Sequence, residues 1–217
     1  MSSKARAWNA LAIALGGQLC ASQLHAQGAV PADPQALAHS QALIDAVPDG
    51  VRAFMAIPSG AVVHGQSGMI CVSGSDKMKL AGLLVNRSVA IGDDVGCDYV
   101  VPSGKISVFA TRLKGRDLKA FASGVVAAIR RTYPDAKSTA GPLVASYPEF
   151  IDPIAESFVV AFQGRPAVTS VWIAQEGDWV IEERATYPAD ARHDPELFAS
   201  LQIIQARRSI RYHSANP

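Results

Sequence analysis

Residues 168–187 read VTSVWIAQEGDWVIEERATY, and this stretch decides the fold class. Two runs rich in β-branched and aromatic residues flank the turn-forming tripeptide at 176–178, a pattern that predicts a tight antiparallel hairpin. Side chains alternate between two faces along a strand, so the return strand has two distinct sides. We expect Trp179, Ile181 and Ala185 to face the core. The other side is expected to face solvent and carries Val180, Glu182, Arg184 and Thr186.

Short strand-like runs precede this hairpin and are separated by Gly, Pro, Ser and Asp. They predict further strands at 61–64, 69–72, 81–85, 88–91, 98–101, 106–113 and 158–162. The runs follow one another as hairpins and do not alternate with helices in βα units. We therefore predict an α+β fold in which an antiparallel β-sheet packs with two or three amphipathic helices.

Three segments have helical periodicity, and each begins at an aspartate in the capping position: Asp33, Asp117 and Asp194. The first helix is placed at 34–47. The second ends at Tyr133, because a residue that precedes proline resists the helical conformation. The third is expected to pack through an apolar stripe made of Leu197, Phe198, Leu201 and Ile204.

The first 26 residues have the layout of a Sec-type signal peptide. Lys4 and Arg6 precede an apolar run from Trp8 to Leu19, and Ala26 fits the position before a cleavage site. The run is too short for a transmembrane helix, which needs roughly 20 apolar residues. We expect cleavage near Ala26 and a periplasmic or secreted protein. Lipid attachment at Cys20 and an uncleaved N-terminal helix are the alternatives.

The exported chain keeps two cysteines, Cys71 and Cys97. An even number in an oxidising compartment predicts one disulfide, and the absence of a CxxC motif disfavours a redox-active or metal-binding pair. Loss of Lys4 and Arg6 leaves 18 basic residues against 19 acidic ones. This nearly neutral balance gives no reason to expect nucleic acid as a partner.

The predicted organisation has four parts: a signal peptide (1–26), an N-terminal helix and linker (27–50), a single α+β domain (51–206) and a basic C-terminal tail (207–217). The mature chain is long enough for one hydrophobic core and short for two. No second long apolar segment follows the signal, so we expect no membrane span. The sequence leaves the oligomeric state open.

Ser67 lies in a Gly65-Gln66-Ser67-Gly68 turn next to His64, which superficially matches a hydrolase nucleophile elbow. The elbow requires Gly-x-Ser-x-Gly, and Met69 stands where the last glycine is needed. We expect an ordinary β-turn, with Ser67 and His64 kept as catalytic candidates. Histidine and acid spacings typical of zinc or calcium sites are absent from the sequence, so we expect no metal and no cofactor.

Glu182 and Glu183 are adjacent on a strand and point to opposite faces, so they cannot act together on one substrate. Glu183 shares the face of Trp179, and a buried carboxyl needs a partner. We take Trp172, Trp179, Glu183 and Arg184 as possible binding residues.

Charge is segregated along the chain. Eight basic and two acidic residues lie between Gly104 and Ala140, whereas ten acidic and three basic residues lie between Pro142 and Ser200. The two blocks either complement each other within the molecule or leave a basic face for an anionic partner.

Three runs, SGMIC at 67–71, VWIAQEGDW at 171–179 and RATYP at 184–188, resemble a family of exported bacterial proteins of unassigned function. This resemblance implies export and supplies no catalytic residues. In the order of its elements the chain is also similar to a PsbP-type α/β sandwich, a scaffold used for binding, although fold alone does not decide function.

The function we expect is a non-enzymatic binding or envelope-accessory module with an envelope ligand or protein as its partner. The alternative is an envelope ester or amide hydrolase that uses Ser67. A structural, stress-related protein without a ligand is a third hypothesis.

Overall fold

The computed structural model describes residues 33–72, 74, 75, 77–191 and 193–216. The predicted signal peptide and its cleavage site lie outside the described residues. Residues 31–217 belong to one compact unit. Among the described helices none combines the length and the apolar character that a membrane crossing requires.

Within the described ranges, helices occur in four places: α1 (Pro34–Ala46), α2 (Gly50–Ala53), α3 (Leu118–Thr132) and α4 (His193–Ala215). The predicted caps of the first two long helices are confirmed. The Asp33 side chain accepts hydrogen bonds from Gln35 and Ala36, and the Asp117 side chain accepts one from Ala120. These acceptors satisfy backbone N–H groups that have no partner inside the first helical turn.

The strands form two sheets, and every pairing in them is antiparallel. The small sheet has the order β1 (Phe54–Ala56), β2 (Val62–His64), β3 (Ile70–Cys71). The large sheet has the order β4-β5-β6-β7-β11-β10-β9-β8. Its strands are β4 (Gly74–Ser75), β5 (Met78–Val85), β6 (Asp94–Val101), β7 (Gly104–Arg112), β8 (Lys137–Ser138), β9 (Ile154–Phe162), β10 (Arg165–Glu176) and β11 (Trp179–Pro188). The α+β class and the hairpin at 168–187 are thus confirmed.

The prediction of a strand at 88–91 is wrong, because these residues form the turn between β5 and β6. The Asn86 side chain accepts hydrogen bonds from the backbone N–H and the hydroxyl of Ser88, which stabilises a turn at that point. Gly92 follows with φ +90°, a conformation that side chains with a Cβ rarely adopt.

Both faces of the large sheet are covered, which corrects the expectation that one side of β11 faces solvent. Trp172, Ile181 and Ala199 belong to the core on the α4 side. Val180 belongs to a second core, formed with Val125 and other residues of α3 and the sheet. Val180 is completely buried and Glu182 is nearly so, because α3 packs on their side.

Helix α4 continues to Ala215 and includes most of the residues expected in a separate basic tail. Half of the expected apolar stripe is confirmed: Ile204 is buried in the core and Phe198 packs against it, whereas Leu197 and Leu201 are exposed. The other core contacts come from Ala199, Ile203, Ala206 and Ile210. The two alanines among these contacts allow the helix to lie close to the sheet.

The predicted disulfide between Cys71 and Cys97 is confirmed. Cys71 belongs to β3 and Cys97 to β6, so the bond joins the small sheet to the large one. Both residues are buried in the core on the α4 side.

Candidate functional site

His64 and Ser67 are brought together, with 2.7 Å between Nδ1 and Oγ. Both side chains are buried, and Ser67 Oγ also accepts a hydrogen bond from the Met69 N–H at 3.1 Å. His64 Nε2 has no hydrogen bond of ordinary geometry within the described structure. Burial, reinforced by the charge of Arg112, lowers the pKa of His64 to about 4. The pair therefore closes the β2–β3 turn with a neutral imidazole and a hydroxyl that solvent does not reach.

Three of the four side chains taken as possible binding residues lie in the core. Trp172 is fully buried, and its indole N–H donates to the Leu143 carbonyl at 2.8 Å. Trp179 packs edge-on against His64, with 5.4 Å between ring centroids. Glu183 is buried on the same side of the sheet. Only Arg184 points to the α3 side, where it lines a cavity.

Glu183 is a buried carboxyl without a charge partner. Neither of its oxygens has a hydrogen bond of ordinary geometry within the described structure. Burial raises the pKa of Glu183 well above its ordinary value, and the backbone of Ile203 opposes this shift only in part. The side chain is therefore a neutral acid held among apolar residues, near the buried Tyr99 hydroxyl, whose pKa is raised chiefly by burial.

We expect the Glu183→Gln variant to be less sensitive to alkaline pH than the wild type. The unfolded chain releases the Glu183 proton near the ordinary pKa of 4.5, whereas the folded chain holds it at higher pH. The folded state thus binds more protons above pH 4.5, and the free energy of unfolding falls as pH rises. Urea unfolding at several pH values from 4 to 9 measures this slope.

A second substitution provides the control for this pH experiment. Glu183→Leu removes the unpaired polar group as well as the proton, so the free energy of unfolding at neutral pH should rise by about 1–3 kcal/mol. Equal pH slopes in all three proteins would show that Glu183 does not titrate in this range.

A cleft opens where α3 crosses the large sheet. Two cavities of ≈ 560 and ≈ 460 Å³ adjoin there, and they share Arg116, Phe121, Glu182 and Arg184. We call this region the α3 cleft. Its wall also includes Phe109 from β7, and each cavity lies in the size range of small-molecule sites, roughly 300–1,000 Å³.

Arg184 and Glu182 form an ion pair on the floor of the α3 cleft, and this pair leaves some of the hydrogen-bond donors of Arg184 without partners. Arg184 Nη2 donates to Glu182 Oε1, but the buried Nε of Arg184 has no hydrogen-bond partner in the described structure. Burial raises the pKa of Glu182, and the guanidinium of Arg184 opposes that shift. The pair therefore leaves the buried Nε donor of Arg184 unused.

Arg116 lies beside this pair without a carboxylate partner in the part of the chain that the structure describes. Its Nε donates to the Leu113 carbonyl at 3.2 Å and its Nη2 to the Arg112 carbonyl at 3.3 Å. The guanidinium lies over the Phe121 ring, 5.5 Å from its centroid. Neutral groups thus hold the exposed Arg116 in place, and its guanidinium has no ion pair among the described residues.

The other cations of the cleft are paired. Arg112 Nε lies 2.9 Å from Asp93 Oδ1, and Lys114 contacts the second oxygen of the same carboxylate. The hydrogen bond from Lys114, more than the one from Arg112, lowers the pKa of Asp93. Arg112 also lies over the Trp179 ring at 4.4 Å, which couples the edge of the cleft to the core.

Among the ion pairs found between described residues, none joins the two charge blocks of the sequence to each other. Arg112 and Lys114 bind Asp93, which precedes the basic block. In the acidic block, Glu176 binds Arg211 of α4 at 2.7 Å. Sequence reasoning named Arg184 but missed Arg116, Phe109 and Phe121. The available signal was the basic block itself, which contains Arg116 but does not show that it lacks an acidic partner.

No protein-family model matches the chain, and no curated protein matches it. A solved structure from Bacteroides thetaiotaomicron is similar, with 12% sequence identity and a TM-score of 0.31. The match covers 59% of this chain and 42% of that one, so it spans less than half of the other protein. A likeness this low supports no conclusion about the site. The resemblances to an exported family and to PsbP-type sandwiches stay predictions.

Proposed function

We propose that the protein is an exported, non-enzymatic binding module of the cell envelope, with a small molecule as the ligand of the α3 cleft. The observation that carries this proposal is the guanidinium of Arg116, which has no ion pair in the described structure and lies beside an open, partly aromatic cavity. Export is supported by the signal-like pattern of residues 1–26 and by the disulfide, which is typical of oxidising compartments. Mass spectrometry of the exported protein should find Gln27 at or near its N-terminus.

An envelope hydrolase that uses Ser67 is the competing function, favoured by the short distance between Ser67 and His64. Hydrolysis requires substrate to reach Ser67 Oγ, which is buried. It also requires the imidazole to accept a proton and then be stabilised as a cation, whereas the site favours the neutral ring. A fluorogenic ester screen separates the two functions, because only a hydrolase loses activity in the Ser67→Ala variant.

Gly124 offers a way to close the α3 cleft without disturbing the core. It lines the smaller cavity, and a Cβ built on it meets no atom within 4 Å. Glycine inside a helix is also less favourable than alanine by roughly 0.5–1 kcal/mol. We therefore expect Gly124→Phe to fold and to occupy the cleft, with Gly124→Ala as the matched control.

The binding proposal predicts a difference in retained ligand between these two variants. The mature wild type, Gly124→Ala and Gly124→Phe are each incubated with envelope extract, washed and denatured, and the released small molecules are identified by mass spectrometry. The wild type and Gly124→Ala should release the same compound, and Gly124→Phe should release at least tenfold less. Equal release from Gly124→Phe, or no compound from any protein, would contradict the proposal.

A further inference from the structure

The hydrogen-bonding groups of the α3 cleft are unequally satisfied. Its carboxylates are engaged: Asp94 accepts from Thr111 and Asn86 at 2.8 and 2.7 Å, and Asp117 caps α3. Asp93 binds two cations, and Glu182 binds Arg184. The donors without hydrogen bonds in the described structure belong to the two guanidinium groups: Nη1 of Arg116 and, on Arg184, Nη1 together with an Nε that is closed to solvent. A ligand that completes this site must therefore supply acceptors.

The ion pairs of the cleft point in the same direction. The charges that line the cleft balance in number, with Arg112, Lys114, Arg116 and Arg184 against Asp93, Asp94, Asp117 and Glu182. Arg112 and Lys114 share Asp93, and Arg184 pairs with Glu182, whereas Arg116 has no ion pair in the described structure. Because guanidinium groups match the geometry of carboxylates, a ligand carboxylate satisfies both the charge and the free donors.

The aromatic side chains that line the cleft indicate the chemistry of the rest of the ligand. Phe109 and Phe121 line the larger cavity, and Arg116 already stacks on the Phe121 ring. Aromatic rings favour stacked or edge contacts with flat apolar groups. The cleft therefore combines an acceptor-binding end with an apolar, planar space beside it.

We propose that the α3 cleft binds a small organic anion in which a carboxylate is attached to a flat apolar group, with Arg184 and Arg116 holding the carboxylate. This inference rests on the proposed binding function and adds the chemical class of the ligand. It assigns Arg184 and Arg116 the recognition of charge, and Phe109 and Phe121 the contact with the apolar group.

The probes that test this inference are 2-naphthoate and 2-naphthamide, which have nearly the same shape and differ in charge. Isothermal titration calorimetry should show that the mature protein binds the naphthoate at least tenfold more tightly than the naphthamide. Arg116→Gln should lose most of this preference. Arg131→Gln is the matched control, because Arg131 lines a different groove on α3, and it should keep the full preference.

Arg184 needs a more conservative substitution, because its removal leaves Glu182 buried without its cation. Arg184→Lys keeps the charge and loses the forked donors, so it should bind the naphthoate more weakly while the melting temperature changes little. Naphthoate affinity equal to that of the wild type in both arginine variants would overturn the assignment.

The controls distinguish failure of this inference from failure of the binding function. If naphthoate and naphthamide bind equally and Gly124→Phe abolishes both, the assignment of an anionic ligand is wrong. The proposal that the cleft binds a small molecule is then still supported. Gly124→Phe fills the smaller cavity, which Arg116, Phe121 and Arg184 also line, so naphthoate binding that persists in this variant would place the anion away from these side chains and overturn the inference. Binding of neither probe would also overturn the ligand class, and the envelope-extract experiment would then decide the binding function by itself.

Discussion

Replacing both Cys71 and Cys97 with alanine should lower the free energy of unfolding by about 3–4 kcal/mol. The bond closes a loop with a sequence separation of 26 residues, and its loss increases the conformational entropy of the unfolded chain. Alanine is preferred to serine because both positions are buried in an apolar core, where a free hydroxyl adds a desolvation penalty. Urea denaturation under non-reducing conditions measures the difference.

Reduction supplies the control for this variant. Dithiothreitol should destabilise the wild type by a similar amount and should leave the double alanine variant unchanged. A loss below about 1 kcal/mol would mean that the two sheets stay associated in the unfolded ensemble or need no covalent link. Since typical domains are only about 5–15 kcal/mol stable, a loss of the expected size also lowers the fraction of folded protein.

The Trp172→Ala variant should lose about 3–5 kcal/mol, the usual range for truncation of a large buried aromatic residue. Trp172 is fully buried on the α4 side of β10. Its indole N–H also donates to the carbonyl of Leu143, in the irregular segment between β8 and β9, so truncation leaves that acceptor without its donor. Equilibrium unfolding in urea measures the loss.

Trp172→Phe distinguishes a core role from a binding role for this residue. The phenyl ring keeps much of the buried volume and lacks the N–H, so stability should fall by less than in the alanine variant. Naphthoate affinity should stay at the wild-type value, because the α3 cleft lies on the other side of the sheet. Weaker probe binding with unchanged stability would place Trp172 in the site and contradict its assignment to the core.

Local patterns in the sequence were sufficient to predict the elements that depend on near neighbours. The hairpin at 168–187 follows from strand alternation and a tight turn, and α3 follows from its Asp117 cap and the Pro134 stop. The disulfide follows from an even cysteine count in an oxidising compartment. Each of these inferences needs only the chemistry of a few residues.

Those local patterns could not predict which helix packs on which side of the sheet. Alternation shows that Val180 and Glu182 share a side of β11, but not that α3 covers that side. Half of the apolar stripe of α4 was misplaced for a similar reason, since its larger side chains Leu197 and Leu201 are exposed while Ala199 and Ala206 contact the sheet. Helical periodicity does not show which of two overlapping stripes fits a given surface.

The sequence by itself determined the class of fold, the hairpin, the starts of α1 and α3 and the Cys71–Cys97 disulfide, whereas α4 begins at His193 and includes the Asp194 expected as its cap. Only the tertiary structure decided that Trp172 and Glu183 belong to the core and that Arg116 and Arg184 meet in one cleft. These two arginines come from the loop before α3 and from β11, and their distance depends on where α3 lies on the sheet. The position of α3 on the sheet results from contacts between residues far apart in the chain, and a local sequence pattern cannot predict it.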